Sequence, residues 1–206
     1  MTRKIALIDY KAGNLTSVRK ALAAVGATVF TPESAGELAD AQGLIVPGVG
    51  HFGATAALDA PWKDAIRARI QAGRPLLGIC LGLQWLYEGS EESPDLAGLG
   101  VLGGRCHKLP GDSADGVTIK VPHVGWNALE RTADAAIIDG IEDGAQVYFT
   151  HSYVAPVTAD TAAATTHGQR FASIVQRGVV AGVQFHPEKS GEVGLRILRN
   201  FMKMVG

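Results

Sequence analysis

Over the first 80 residues short apolar runs alternate with longer stretches of helical periodicity. Residues 4–9, 28–31, 43–46 and 75–79 are β-rich and predict strands. Between them, Asn14 stands at the N-cap position of a periodic stretch that runs to Val25 and stops at Gly26. Pro61 opens a second such stretch that ends near Gly73, following the proline-first, glycine-last habit of helices. This alternation predicts βαβ units and parallel strands. From about residue 101 strand candidates follow one another closely, at 117–121, 146–154, 162–165, 171–176 and 179–185, which predicts antiparallel pairing. In the last segment, 191–205, Val193, Leu195, Ile197, Leu198, Phe201 and Met202 fall at helical spacing and predict a helix packed back on the sheet. The expected fold is α/β: an open, mostly parallel central sheet with flanking helices and an added antiparallel region, in one domain spanning residues 1–206.

Composition narrows the partners. Apolar residues make up 47% and charged residues 19%, a balance that buries a core and does not keep a chain disordered. Nineteen basic against twenty acidic residues leave a net charge of −1, so no broad electrostatic footprint for nucleic acid or anionic lipid is present. The first apolar run is too short for a signal-peptide core and is closed by Asp9, and no run reaches membrane-spanning length; a soluble, cytoplasmic protein is expected. The two cysteines, Cys80 and Cys106, make no disulfide framework and suit a reducing compartment.

Three motifs carry candidate chemistry, each just past a predicted strand. Gly78-Ile79-Cys80-Leu81-Gly82 has the form of a nucleophile elbow with cysteine in the serine place. Flanking glycines suit a crowded strand-to-helix turn, and a helix N-terminus favours a thiolate. Without those glycines the sequence would describe a buried structural cysteine. His186-Pro187-Glu188 sets an imidazole and a carboxylate on one face of an extended segment, so that the carboxylate can fix the tautomer of a base; taken alone it also fits a loop with a surface ion pair. Pro47-Gly48-Val49-Gly50-His51-Phe52-Gly53 matches the spacing of a dinucleotide-binding loop, but no acidic residue closes the next strand. The loop better suits a backbone donor: the N–H groups of Val49 and Leu81 could hold the oxyanion of a tetrahedral intermediate beside Cys80. A tight turn without a role is the alternative. Cys106-His107 lacks metal-ligand spacing, and Cys106 is taken as structural. His151 either faces the site or is a hydrogen-bonded core histidine. No metal and no cofactor is expected.

Together, Pro47–Gly50, Gly78–Gln84 and His186–Glu188 resemble the class I, or triad-type, glutamine amidotransferases. Ile8-Asp9-Tyr10 with Gly13-Asn14-Leu15, Pro122-His123-Val124-Gly125-Trp126-Asn127 and Tyr148-Phe149-Thr150-His151-Ser152-Tyr153 are similar, within that family, to the glutaminase subunits of imidazole glycerol phosphate synthase. The resemblance covers nearly the whole chain. It implies Cys80 as nucleophile, His186 as general base and then acid, and Glu188 as its orienting carboxylate. It implies Gly50, Gln84, Ser152 and Tyr153 around a bound glutamine. It also implies a separate cyclase subunit as partner in a heterodimer, docked on Asn14, Trp126, Tyr148 and Lys189, and an oxyanion loop at Val49 set by that partner. The same chemistry in pyridoxal phosphate or anthranilate synthesis is the nearest competing reading, against which 122–127 argues. A non-catalytic module, a thiol peptidase and a dinucleotide-binding oxidoreductase share fewer of the motifs.

Overall fold

The computed structural model describes residues 4–112, 116 and 118–206. Its first half follows the βαβ rhythm: β1 (Lys4–Leu7), α1 (Leu15–Ala24), β2 (Thr28–Phe30), β3 (Gly43–Gly48), α2 (Ala60–Gln71), β4 (Leu76–Cys80) and α3 (Leu81–Leu86). The Asn14 side chain accepts from the Ser17 N–H (3.3 Å) and caps α1. Asp59 caps α2 in the same way, with Pro61 in the first turn.

After α3 come three short strands, β5 (Gly89–Ser90), β6 (Ser93–Ala97) and β7 (Arg105–Lys108). Then follow β8 (His123–Ala128), β9 (Glu130–Arg131), β10 (Gln146–His151), β11 (Tyr153–Val154), β12 (Thr161–His167), β13 (Gln169–Arg177), β14 (Val180–Val183) and α4 (Gly191–Val205). The eight-stranded sheet runs β2-β1-β3-β4-β14-β13-β12-β9. It is parallel from β2 to β14 and antiparallel beyond. The pair β10-β8 and the set β11-β7-β5-β6 form two smaller sheets.

Parallel strands in this sheet are buried on both faces, and the period-two alternation divides the core. Ile5, Leu7, Ile45, Leu77 and Ile79 point to one cluster, completed by Leu22 of α1 and by Ile197, Leu198 and Phe201 of α4. Ala6, Ile8, Leu44, Val46 and Leu76 point to the other, with Ile66 of α2 and the side chains of α3.

Two strand expectations need correction. Of the candidate 117–121, Val117 lies outside the described residues and Thr118 forms only an isolated bridge with Asp112. The strand proper begins at His123, past Pro122, which has no N–H to give a ladder. The candidate 146–154 is two strands in different sheets: the chain leaves the β8 partner at His151 and takes up β7 from Tyr153, with the Ser152 carbonyl accepting from the Leu109 N–H (2.8 Å) at the break.

Candidate active site

β3, β4 and β14 are neighbours, so their C-terminal ends bring the three motifs to one edge of the sheet, where open α/β folds build their sites. Gly48 is in register with Cys80, and Ile79 with Val183. Cys80 ends β4 and starts α3 with φ 54° and ψ −106°, a conformation that costs a non-glycine residue energy and lifts the thiol out of the strand line. The crowding predicted around it is real. A β-carbon on Gly82 would run into the carbonyl of Val46, and one on Gly78 would lie 2.6 Å from the carbonyl oxygen of Gly82.

Cys80 is 4% exposed. Its sulfur lies 3.9 Å from the Thr150 carbonyl and accepts from Gln184 Nε2 at 3.7 Å. Gln184 is in turn held by Gln84, whose Nε2 reaches Gln184 Oε1 (3.2 Å) and the Tyr153 carbonyl (2.9 Å). Beyond β14, the His186 Nδ1–H donates to Glu188 Oε1 at 2.8 Å, with both side chains 3% exposed. In the neutral ring that bond leaves Nε2 as the lone-pair nitrogen. Among the described residues Nε2 has no partner at hydrogen-bond distance, while the Cys80 sulfur is near enough to act on its titration. Burial by itself would lower the imidazole's pKa; the Cys80 sulfur and the Glu188 carboxylate outweigh burial and push it up to about 10.

The loop carrying His186 is tied to β10. The His186 N–H donates to the Tyr148 carbonyl (3.0 Å), and the buried Ser190 hydroxyl donates to the His186 carbonyl (2.7 Å) while accepting from the Tyr148 N–H (3.0 Å).

A pocket of about 300 Å³ opens over Cys80, lined by Gly50, Leu81, Gln84, Glu92, Ser152 and Tyr153, among others. All four residues expected around a substrate are therefore in its wall. Glu92 is the only charged side chain there among the described residues, and its Oε2 accepts from the Phe52 N–H at 2.6 Å. A larger hollow of about 690 Å³, between residues 131–140 and the end of α4, contains none of these side chains and none of the catalytic chemistry.

The backbone donors differ. Leu81 opens α3, and a first-turn N–H has no acceptor within its own helix. The Val49 N–H instead donates to the Ala12 carbonyl at 2.8 Å and is spent there. His151 turns out to be both pocket wall and hydrogen-bonded core: its Nδ1 donates to the Tyr153 carbonyl (3.1 Å) and its Nε2 faces His123 Nδ1 (3.2 Å). Burial lowers the pKa of His151 to about 3 and that of His123 to about 4. Cys106 is buried, donating to the Gln84 carbonyl at 3.8 Å, and burial pushes its thiol pKa up.

Of the four residues expected at a docking face, Trp126 (57% exposed), Tyr148 and Lys189 form one row: the two rings meet edge to face at 6.1 Å, and Lys189 Nζ stands 5.7 Å from the Tyr148 ring centre. Asn14 is exposed too, with its side-chain oxygen used in capping α1.

Residues 6–205 match the profile of the class-I glutamine amidotransferases. The chain belongs to that family. Among its curated relatives, the imidazole glycerol phosphate synthase subunit HisH of Moorella thermoacetica is 46% identical over 98% of this chain and 96% of its own. The subunit of the same name from Halalkalibacterium halodurans is also 46% identical, with the same coverage. A crystal structure of a glutamine amidotransferase superposes with a TM-score of 0.74 at 22% identity, covering 98% of both chains, a likeness of fold.

This glutamine amidotransferase also contains site residues that motif reading passed over. Glu92 sits in the polar turn between β5 and β6 with no pattern to mark it, and Ser190 acts through main-chain bonds that leave no spacing signature. Gln184 falls in the strand candidate 179–185, but only its contact with Cys80 distinguishes it from an ordinary strand residue. Among the described residues no group of three His, Cys, Asp or Glu is placed to hold a metal, and no helix is long and apolar enough to cross a membrane.

Proposed function

We propose that the chain hydrolyses glutamine to glutamate and ammonia and delivers the ammonia to a separate cyclase, as the glutaminase subunit of imidazole glycerol phosphate synthase in histidine biosynthesis. The observation that carries the reading is the alignment of three strand ends: a cysteine on a strained elbow, beside a buried imidazole whose far nitrogen is bonded to Glu188 at 2.8 Å, beneath a pocket holding one carboxylate.

The chemistry follows from these groups. His186 Nε2 takes the thiol proton, and the sulfur of Cys80 attacks the amide carbon of glutamine, giving a tetrahedral oxyanion. The imidazolium, steadied by Glu188, returns the proton to the nitrogen; the C–N bond breaks, ammonia leaves and a thioester remains. Water, deprotonated by His186, adds to the thioester, and glutamate departs as the sulfur takes back a proton. Leu81 N–H and a reoriented Val49 N–H would hold the oxyanion in both steps. Glu92 is suited to the α-ammonium of the substrate, with Gly50, Gln84, Ser152 and Tyr153 supplying the remaining contacts.

Ammonia is protonated in neutral water, so an enclosed route to a consumer favours direct docking of the two enzymes in a cytoplasmic heterodimer. The exposed Trp126–Tyr148–Lys189 row supports that face as the dock, and Asn14 is assigned to its edge. Because the Val49 N–H is bonded to Ala12, the isolated chain is expected to be nearly idle until the cyclase reorients the loop. The test is glutamate release by the purified chain, alone and with a cognate cyclase carrying its phosphorylated ribosyl substrate, with Cys80→Ala as control. A low rate alone, a steep rise in the complex and a silent mutant are expected; equal rates with and without the cyclase would remove the gating, and silence throughout would remove the hydrolysis.

A further inference from the structure

The Tyr10 hydroxyl has no assigned role and an unusual position. Tyr10 is 6% exposed, and its oxygen is buried without a hydrogen-bond partner among the described residues. A buried hydroxyl left unpaired is costly, so such groups are scarce and point to a partner present in another state. The hydroxyl lies directly against Gly48: a β-carbon there would run into it, and into the Leu81 side chain next. Gly48 is the first half of the Gly48–Val49 peptide, whose N–H is bonded to the Ala12 carbonyl. Tyr10 and Ala12 belong to the same turn between β1 and α1, so the N–H faces the segment that also carries the phenol.

When the Val49 N–H turns toward Cys80, the Gly48 carbonyl must turn the opposite way, because a peptide is planar and trans and its N–H and C=O bonds point in opposite directions. It then faces the Ala12 carbonyl, an acceptor, in a buried place. Two acceptors facing each other need a donor, and the phenol O–H is the free donor already in contact with Gly48. The rotation turns ψ of Gly48 and φ of Val49, and Gly48 has no side chain to oppose it.

We propose that Tyr10 is a positioning residue of the oxyanion loop, donating to the Gly48 carbonyl in the rotated state and leaving its hydroxyl idle in the state described here. This rests on the gated-glutaminase reading above. Its energetic signature has two signs. Removing the hydroxyl relieves an unpaired group in the resting chain and strands a carbonyl in the active one. A tyrosine that only fills space would lose nothing specific on becoming phenylalanine.

The experiment compares wild type with Tyr10→Phe, alone and in complex with the cognate cyclase and its phosphorylated ribosyl substrate. Glutaminase kcat and KM, cyclase affinity and the melting temperature of the isolated chain are measured. For Tyr10→Phe the melting temperature is expected to be unchanged or higher, with KM and cyclase affinity unmoved. The kcat of the complex should fall on the order of tenfold, the loss of one buried hydrogen bond. In the wild-type chain carrying 3-fluorotyrosine at position 10, the fluorine resonance should shift when the loaded cyclase binds. An unchanged kcat in the Tyr10→Phe complex, a fall in melting temperature that accounts for the lost activity, or a stationary fluorine line would each overturn the role. Failure of the underlying reading looks different: the wild type itself would then show no stimulation by the cyclase.

Discussion

The N–H of His186 donates to the main-chain carbonyl of Tyr148 at 3.0 Å. The loop that carries His186 is thereby fixed to the β10 residue whose ring meets the exposed Trp126 of β8. Ser190 reinforces the connection from inside, bonded to the main chain of both residues. Ser190→Ala would leave the Tyr148 N–H and the His186 carbonyl without the buried hydroxyl that joins them, a cost of about 1–3 kcal/mol. A melting temperature lower by several degrees is expected, together with a lower kcat at near-constant KM. Thermal unfolding and steady-state kinetics on the folded fraction separate the two effects; kcat that simply tracks folded protein would confine Ser190 to stability.

The proposed docking row gives the opposite profile. Trp126 is 57% exposed, so Trp126→Ala should change stability by less than about 0.5 kcal/mol. Exposed aromatics of this kind anchor interfaces, and the affinity for the cyclase should fall by on the order of tenfold or more. Titration calorimetry against the cyclase, with a melting curve of each chain, reads both. Unchanged affinity would move the interface off β8.

What could be read from the residues and what could not divides along the range of the interactions. Period-two burial on both faces fixed β1, β3 and β4, and the glycines around Cys80 announced a turn that the fold builds under steric pressure from Val46. That the strand ends leading to Cys80 and His186, 106 positions apart (186 − 80), lie side by side was inferable because each motif follows a strand and strand ends converge. Glu92, Ser190 and Tyr10 were not legible as site residues. Each acts through a bond or a contact to a main-chain group far along the chain, and such contacts impose no periodicity. The split at Ser152 has the same source, since pairing partners in two different sheets decide it, whereas the strand expected at 117–121 yields to Pro122, which has no N–H to give a ladder.

The three buried histidines set opposing pH limits. His186 has its pKa raised from 6.5 to about 10, so its contribution to stability is complete below pH 6.5 and is lost as the pH rises toward 10. His123 and His151 have theirs lowered to about 4 and about 3, chiefly by burial. The unfolded chain binds those protons first, and stability is complete above pH 6.5 and declines below it. Denaturant unfolding between pH 4 and pH 10 should therefore show these contributions falling on both sides of about pH 6.5. His151→Asn should flatten the acid side and leave the alkaline side, while His186→Asn should do the reverse. An acid limb of unchanged slope in His151→Asn would mean that His151 is not held neutral in the fold.

Glu92 offers the sharpest separation of binding from chemistry. Its carboxylate is the only charged group in the pocket wall among the described residues, and glutamine brings one ammonium that must be matched. Glu92→Gln keeps an oxygen that can accept from the Phe52 N–H and so preserves the wall, but it removes the charge. A charge-assisted hydrogen bond is worth about 1.5–3 kcal/mol, so KM for glutamine should rise on the order of 10- to 100-fold. The α-amino group is remote from the scissile amide and is held equally in ground and transition states; kcat in the cyclase complex should therefore stay near wild type. The control is a glutamine analogue lacking the α-amino group, which both proteins should hydrolyse with the same poor kcat/KM. If Glu92→Gln discriminates between glutamine and that analogue as strongly as wild type does, the ammonium is bound by another part of the pocket, and the Ser152–Tyr153 main chain becomes the place to look.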